Sequence, residues 1–181
     1  MRGKLDTIAH RFNSKMRIIG GQEFFGLILP APILSTSGQL NPQRFLRTTL
    51  NPPVTFGDVI VADTQTFIVT LHGEGYYNSP IYQHFKLYPV DAVEVLKITT
   101  VEEDPVTGEE IKVRNGDGGN AYLSFITQNS KSENLVINQD IKTAVCNRVV
   151  NKGDILGNYV VTKSDLVRGV CMVELKEVTD A

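Results

Sequence analysis

His10, His72 and His84 are the first residues to weigh for acid–base or metal chemistry, because imidazole titrates near neutral pH and ligates zinc. His10 lies in a basic stretch, His72 in a Gly-flanked loop and His84 in a strand-like run, with none of the short spacings of a zinc site. His72-Gly73-Glu74-Gly75 puts an acid and a base on a flexible loop, yet a plain turn accounts for Gly73 and Gly75 equally well. Asn115-Gly116-Asp117-Gly118-Gly119-Asn120 offers oxygens to a hard cation but lacks the alternate-residue ligands and distal Glu of a calcium loop, so it reads as a Gly-rich turn. Tyr76, Tyr77, Tyr82 and Tyr88 are candidates for a stacking platform, although with no Trp in the chain packing or subunit contact is the default. Cys146 and Cys171 have no CxxC spacing and read as buried thiols of a reducing compartment. There is no phosphate loop, dinucleotide fingerprint or nucleophile elbow. No residue is assigned a catalytic, cofactor-binding or metal-ligating role, and the chain reads as a structural or binding component rather than an enzyme.

The elements around these residues must account for 181 residues, 41% hydrophobic and 21% charged, an ordinary globular balance. The longest apolar run, within residues 24–34, is cut by Gly26, Pro30 and Pro32, too short to cross a bilayer. The N-terminus lacks the apolar core of a secretory signal. A net charge of −2 argues against a protein that coats nucleic acid with its whole surface. The distribution says more: residues 1–17 hold five Lys and Arg against Asp6, while residues 89–114 hold seven acids against three bases. These are either two solvated surfaces or complementary patches, between copies or toward nucleic acid.

Leu5, Ile8, Ala9, Phe12 and Met16 recur at helical spacing and predict a short helix over residues 4–15. Residues 22–29 read as a strand between Gly20-Gly21 and Pro30-Ala31-Pro32. Residues 30–56 carry five prolines and no period, yet include Leu40, Phe45, Leu46, Leu50 and Val54. That predicts an extended arm, lying on its own core or on a neighbouring subunit. Beyond Gly57 strand patterns recur over residues 58–62, 66–71, 81–88, 92–101, 111–114, 121–127, 135–138, 141–150, 159–162 and 171–176. Asp104-Pro105-Val106-Thr107-Gly108 is a strong turn and makes an exposed hairpin with an acidic tip. Roughly eight to ten short strands with frequent turns predict a mainly β chain, a barrel or sandwich. The domain expectation is an N-terminal helical arm over 1–17, a strand plus extended arm over 18–56, and a β core over 57–181 with a hairpin insert around 92–114. Gly57-Asp58 and Gly153-Asp154 each precede aliphatic residues, read as recurrent turn chemistry rather than a duplication.

Gly57-Asp58-Val59-Ile60-Val61-Ala62-Asp63-Thr64-Gln65-Thr66-Phe67-Ile68-Val69 resembles the "GD, strand, turn, aromatic, strand" hairpin of the head-closure (neck) proteins of tailed bacteriophages. The family usually has Gly in the turn where this chain has Asp63-Thr64-Gln65. The resemblance implies a virion component made in the host cytoplasm. It implies a homo-oligomeric ring between portal or adaptor and tail proteins whose lumen passes DNA, which leaves room for non-specific DNA contact there without requiring it; the residues themselves predict no membrane and no cofactor. The alternative from another class is a ligand-binding β-sandwich that recognises a carbohydrate or a receptor.

Overall fold

A computed structural model describes residues 14–30, 44–49, 52–71, 82–104, 107–108, 110–126, 141–167 and 169–178. The chain divides into two compact units, Met1–Val90 and Asp91–Ala181, and in each the strands close into a six-stranded antiparallel barrel. The β character is therefore as the patterns predict. The single core expected over 57–181 is instead two cores, one per unit, each of a size that one small hydrophobic centre can support.

The first barrel consists of β1 (Ser14–Ile18), β2 (Glu23–Pro30), β3 (Arg44–Thr49), β4 (Val59–Ala62), β5 (Gln65–Leu71) and β6 (Tyr82–Pro89). Its wall runs β1-β2-β3-β6-β5-β4 and returns to β1. Because side chains alternate across a strand, one pleat of each strand supplies the interior. Met16 faces Phe24 and Ala62, Leu46 faces Phe85 and the partly buried Ile28, and Val69 faces Leu87, with Ile28 packed against the one buried cluster that the others form. Each large side chain so buried contributes about 1.5–3 kcal/mol.

The second barrel consists of β7 (Ala92–Glu103), β8 (Glu110–Ile126), β9 (Ile141–Cys146), β10 (Ile155–Leu156), β11 (Tyr159–Val167) and β12 (Val170–Glu177). Its wall runs β7-β8-β9-β12-β11-β10 and returns to β7. The strands of both barrels are thus joined in the same order: two three-strand meanders, the third strand of one beside the third of the other and the two first strands side by side. Leu123, Cys146 and Cys171 form one inward row, and Ala144 and Val173 belong to the next.

Several expectations change at this level. The N-terminal helix over 4–15 falls mostly outside the described residues, but its last residues, Ser14 and Lys15, are in strand β1, and Met16 of the proposed apolar stripe is a barrel-core residue at 1% exposure. The extended arm over 30–56 contains β3, a wall strand with Leu46 fully buried, and ends on the buried Val54. The alternation in Arg44-Phe45-Leu46-Arg47-Thr48 is too short to stand out beside the prolines, and pairing with β2 and β6 is what fixes it as a strand. Residues 31–43 of that arm, and the strand expected at 135–138, lie outside the described residues.

Candidate functional site

The segment that carries the family resemblance folds as a hairpin of β4 and β5, and its turn is built twice in the molecule. In the first barrel the Gly57 N–H donates to the Val69 carbonyl at 2.9 Å, the Val69 N–H to the Asp58 carbonyl at 2.9 Å, and the Thr55 N–H to Asp58 Oδ2 at 2.7 Å. In the second the Gly153 N–H donates to the Val161 carbonyl at 2.8 Å, the Val161 N–H to the Asp154 carbonyl at 2.9 Å, and the Asn151 N–H to Asp154 Oδ2 at 2.7 Å. Gly57 and Gly153 adopt φ of 86° and 98°, a region where a Cβ is disfavoured, and Asp supplies the acceptor that closes the turn. Val54 and Val150, each four residues before its Asp, are both buried. The repeated Gly-Asp therefore marks the same point, the fourth strand, in two barrels of the same strand order.

The turns differ in the remaining bonds of the aspartate, which at Asp58 include the Thr55 hydroxyl at 3.1 Å. Asp154 is 2% exposed and its second oxygen, Oδ1, accepts from the Thr99 N–H on β7 at 3.0 Å. Thr99 stands where β7 leaves the barrel wall: β10 pairs with Leu96 and Lys97, and beyond them Ile98 to Glu103 pair only with Asn115 to Glu110 of β8 among the described residues. This two-stranded ribbon extends about 20 Å at roughly 3.3 Å per residue. A β7–β8 hairpin is thus present where the sequence predicts one. Its turn is held by the Gly108 N–H on the Asp104 carbonyl at 2.8 Å and the Thr107 N–H on Asp104 Oδ1 at 3.2 Å. Glu103 is paired directly with Glu110.

Asn115 to Asn120, expected to be a turn, is instead part of strand β8. Two register shifts against β7 fall here, between Val95 and Lys97 and between Lys97 and Ile98, each adding one residue on β8. The glycines serve these bulges. Gly119 has φ of 78°, and a Cβ on Gly118 would meet Leu96 Cγ at 2.8 Å and the Leu96 carbonyl oxygen at 3.1 Å. The signal was present in the sequence as glycines inside an otherwise alternating run.

On the first barrel, the pleat opposite the core makes an outer face across β2, β3 and β6. Leu27, Arg47 and His84 form one cross-strand row, and Leu29, Phe45 and Lys86 form the next. All six are half-buried, and Lys86 Nζ lies 5.0 Å from the centre of the Tyr88 ring. β3, β5 and β6 contain no Asp or Glu, and Glu23 of β2 is paired to Lys15 at 2.6 Å. Residues 1–90 carry eight Lys and Arg against five Asp and Glu, formally +3, and residues 91–181 carry ten against fifteen, formally −5. The second barrel has a different cluster: Lys142 Nζ donates to Tyr159 Oη at 2.9 Å, and Phe125 and Tyr159 meet edge to face with centroids 6.2 Å apart. The bond to Tyr159 raises the Lys142 pKa.

His84, one of the three histidines considered, is in the Arg47 row of this face; His10, His72, Glu74, Tyr76 and Tyr77 lie outside the described residues. Tyr88 flanks Lys86, so of the four tyrosines it alone is placed beside a charged partner among the described residues. Cys146 and Cys171 are free, buried and directly opposite each other in the sheet, and burial pushes the Cys146 thiol up to about 11. No group of three or more His, Cys, Asp or Glu able to hold a metal is gathered among the described residues. What the geometry offers is a cationic, apolar sheet face on one barrel and an acidic ribbon on the other. No family model, curated protein or solved structure matches the chain.

Proposed function

We propose that this chain is a structural virion component, a head-closure or connector protein that assembles as a homo-oligomeric ring between portal and tail and lets DNA pass through the lumen. The observation that carries the reading is the hairpin of residues 57–69: the stretch that resembles the neck family folds as a Gly-Asp turn opening a strand pair in the wall of a closed antiparallel barrel. The β7–β8 ribbon adds to it, because beyond Lys97 it pairs with no third strand among the described residues, and such an edge is suited to reach another subunit. Mass photometry and negative-stain microscopy of the purified chain test the reading. Rings with a central opening are expected, along with the chain's presence in purified virions by mass spectrometry. A chain that stays monomeric at every concentration, and that retains a glycan on an array, would move the function to a ligand-binding module.

A further inference from the structure

We infer that Cys146 and Cys171 form a disulfide site, a pair of thiols that a low-molecular-weight disulfide such as oxidised glutathione converts into a staple across the wall of the second barrel. The inference goes beyond the assembly reading and does not depend on it. Cys146 ends β9 and Cys171 is the second residue of β12, and the two are directly opposite each other in the antiparallel pair. Residues so placed stand about 4.5–5.5 Å apart at Cα, whichever kind of rung they occupy, and a disulfide spans about 4.4–6.8 Å. Both side chains belong to the buried cluster of this barrel, in one inward row with Leu123, so they leave the sheet on the same side. The thiols are also close enough to interact: burial is the main cause of the raised Cys146 pKa, and the neighbouring Cys171 adds to it.

The place of the pair in the fold decides when it reacts. Neither cysteine is more than 1% exposed, and the Cys146 thiol is neutral at pH 7 where the thiolate is the nucleophile, so the closed barrel protects the pair from oxidants. Yet the two form the last rung of the β9–β12 ladder. Beyond it the chain turns away from β9 at residues 147–148, and β12 is reached from β11 through a hairpin whose Leu166, the residue paired with Cys171, is 68% exposed. Fraying of this end opens the rung without unfolding the barrel. One cysteine thiolate then attacks a sulfur of oxidised glutathione, forming a mixed disulfide and releasing one glutathione. The second cysteine attacks the protein sulfur of that mixed disulfide and releases the other glutathione. Two protein thiols are oxidised, one external disulfide is reduced, and the two protons leave on the released thiols. The bond closes the end whose fraying admitted the oxidant. The barrel is held by packing alone in a reducing compartment and by a covalent rung after transfer to an oxidising one.

The test uses the full chain, purified under reducing conditions and then incubated with oxidised glutathione in mildly alkaline buffer, with and without sub-denaturing urea. Mass spectrometry of the intact chain should show the loss of two hydrogens, and a non-reducing digest should contain one peptide pair joined through Cys146 and Cys171. The oxidised chain should keep its β circular-dichroism spectrum and melt higher by roughly 10 °C, a gain that dithiothreitol reverses. Cys146→Ala and Cys171→Ala each leave one partner and should accumulate a glutathione adduct in place of the internal bond; if either variant fails to fold, the digest of the wild type decides by itself. Thiols that stay reduced in both buffers overturn the inference, as do adducts on the wild type that never close or a bond that forms only between chains. An internal bond that lowers the melting temperature overturns it too, because the rung would then be too strained to serve as a staple.

Discussion

The two Gly-Asp turns share backbone geometry and strand position but differ in what the aspartate does with its second oxygen. Asp58 is half-buried, and its Oδ2 accepts from both the N–H and, at 3.1 Å, the hydroxyl of Thr55. Asp154 is buried and divides its two oxygens between its own turn and the Thr99 N–H on β7. The same dipeptide is thus a local turn closure in one barrel and, in the other, a clamp between two strands at the root of the ribbon. A motif repeated in sequence can fix the same backbone shape while its side chain is put to a larger task where the neighbouring strand has been lengthened.

The largest expected effect follows from that clamp. Asp154→Ala removes two charge-assisted bonds of a buried carboxylate and leaves the part-buried Thr99 and Asn151 N–H groups without them, so it should cost about 2–4 kcal/mol in urea unfolding. Asp58→Ala should cost less than about 1.5 kcal/mol, since water can replace the carboxylate there. Equal losses at the two positions would erase the distinction between turn and clamp. Hydrogen exchange at the Thr99 N–H, faster in Asp154→Ala than in the wild type, reads the same contact directly.

How much of this was legible in the sequence depended on the range of the cause. β2, β4, β5, β6, β7 and β12 follow from alternation and turn residues, because each is long or sharply punctuated. β3 is not legible, since six residues among prolines have too little pattern and only their neighbours make them a strand, whereas β10, two residues long, is signalled only by the Gly-Asp turn that opens it at Ile155 and Leu156. The closure into two barrels rests on β1 pairing with β4 and β7 pairing with β10, contacts distant in sequence that no local spacing encodes. The acidic tip was plain from Glu102 to Glu110, whereas the cationic face was not. Arg47, His84 and Lys86 are brought together only by the register of β3 with β6.

The barrels also differ in cysteine, and pH separates them. Below pH 9 the Cys146 thiol is neutral in both folded and unfolded chains; between 9 and about 11 the unfolded chain loses that proton while the folded one keeps it. Stability should therefore fall as pH rises through this window, by up to about 2–3 kcal/mol at 1.36 kcal/mol per unit. Cys146→Ala should flatten the slope. A slope unchanged by the substitution would assign the alkaline loss to other groups.

Glycines inside strands sharpen the comparison further. A Cβ at Gly118 meets Leu96 at Cγ and at its backbone oxygen, neither of which can turn aside, whereas at Gly26 its nearest neighbour, at 2.7 Å, is the terminal Leu46 Cδ1. Gly118→Ala should cost about 1–3 kcal/mol, and Gly26→Ala less than that, as a rotamer change in Leu46 absorbs part of the overlap. Thermal melts of the two variants order them. A Gly26→Ala loss exceeding that of Gly118→Ala would show the first barrel to be the more tightly packed of the two.

The smallest effect concerns the ribbon, which has no counterpart among the described residues of the first barrel, where β1 spans five residues against the twelve of β7. Replacing Glu102, Glu103, Glu109 and Glu110 with Gln removes the like-charge pair of Glu103 and Glu110 and should stabilise the monomeric chain by about 0.2–1 kcal/mol. The gain should shrink at high ionic strength, since exposed charges are screened over about 10 Å at 0.1 M salt. Urea midpoints of the two proteins at low and high salt, at concentrations dilute enough to keep both monomeric, measure it. A stabilising, salt-sensitive change means that the carboxylates repel one another in the monomer. A loss of stability on neutralisation would mean that cations of the same chain already do so, and the ribbon would then belong to its own fold as fully as the strands of the first barrel belong to theirs.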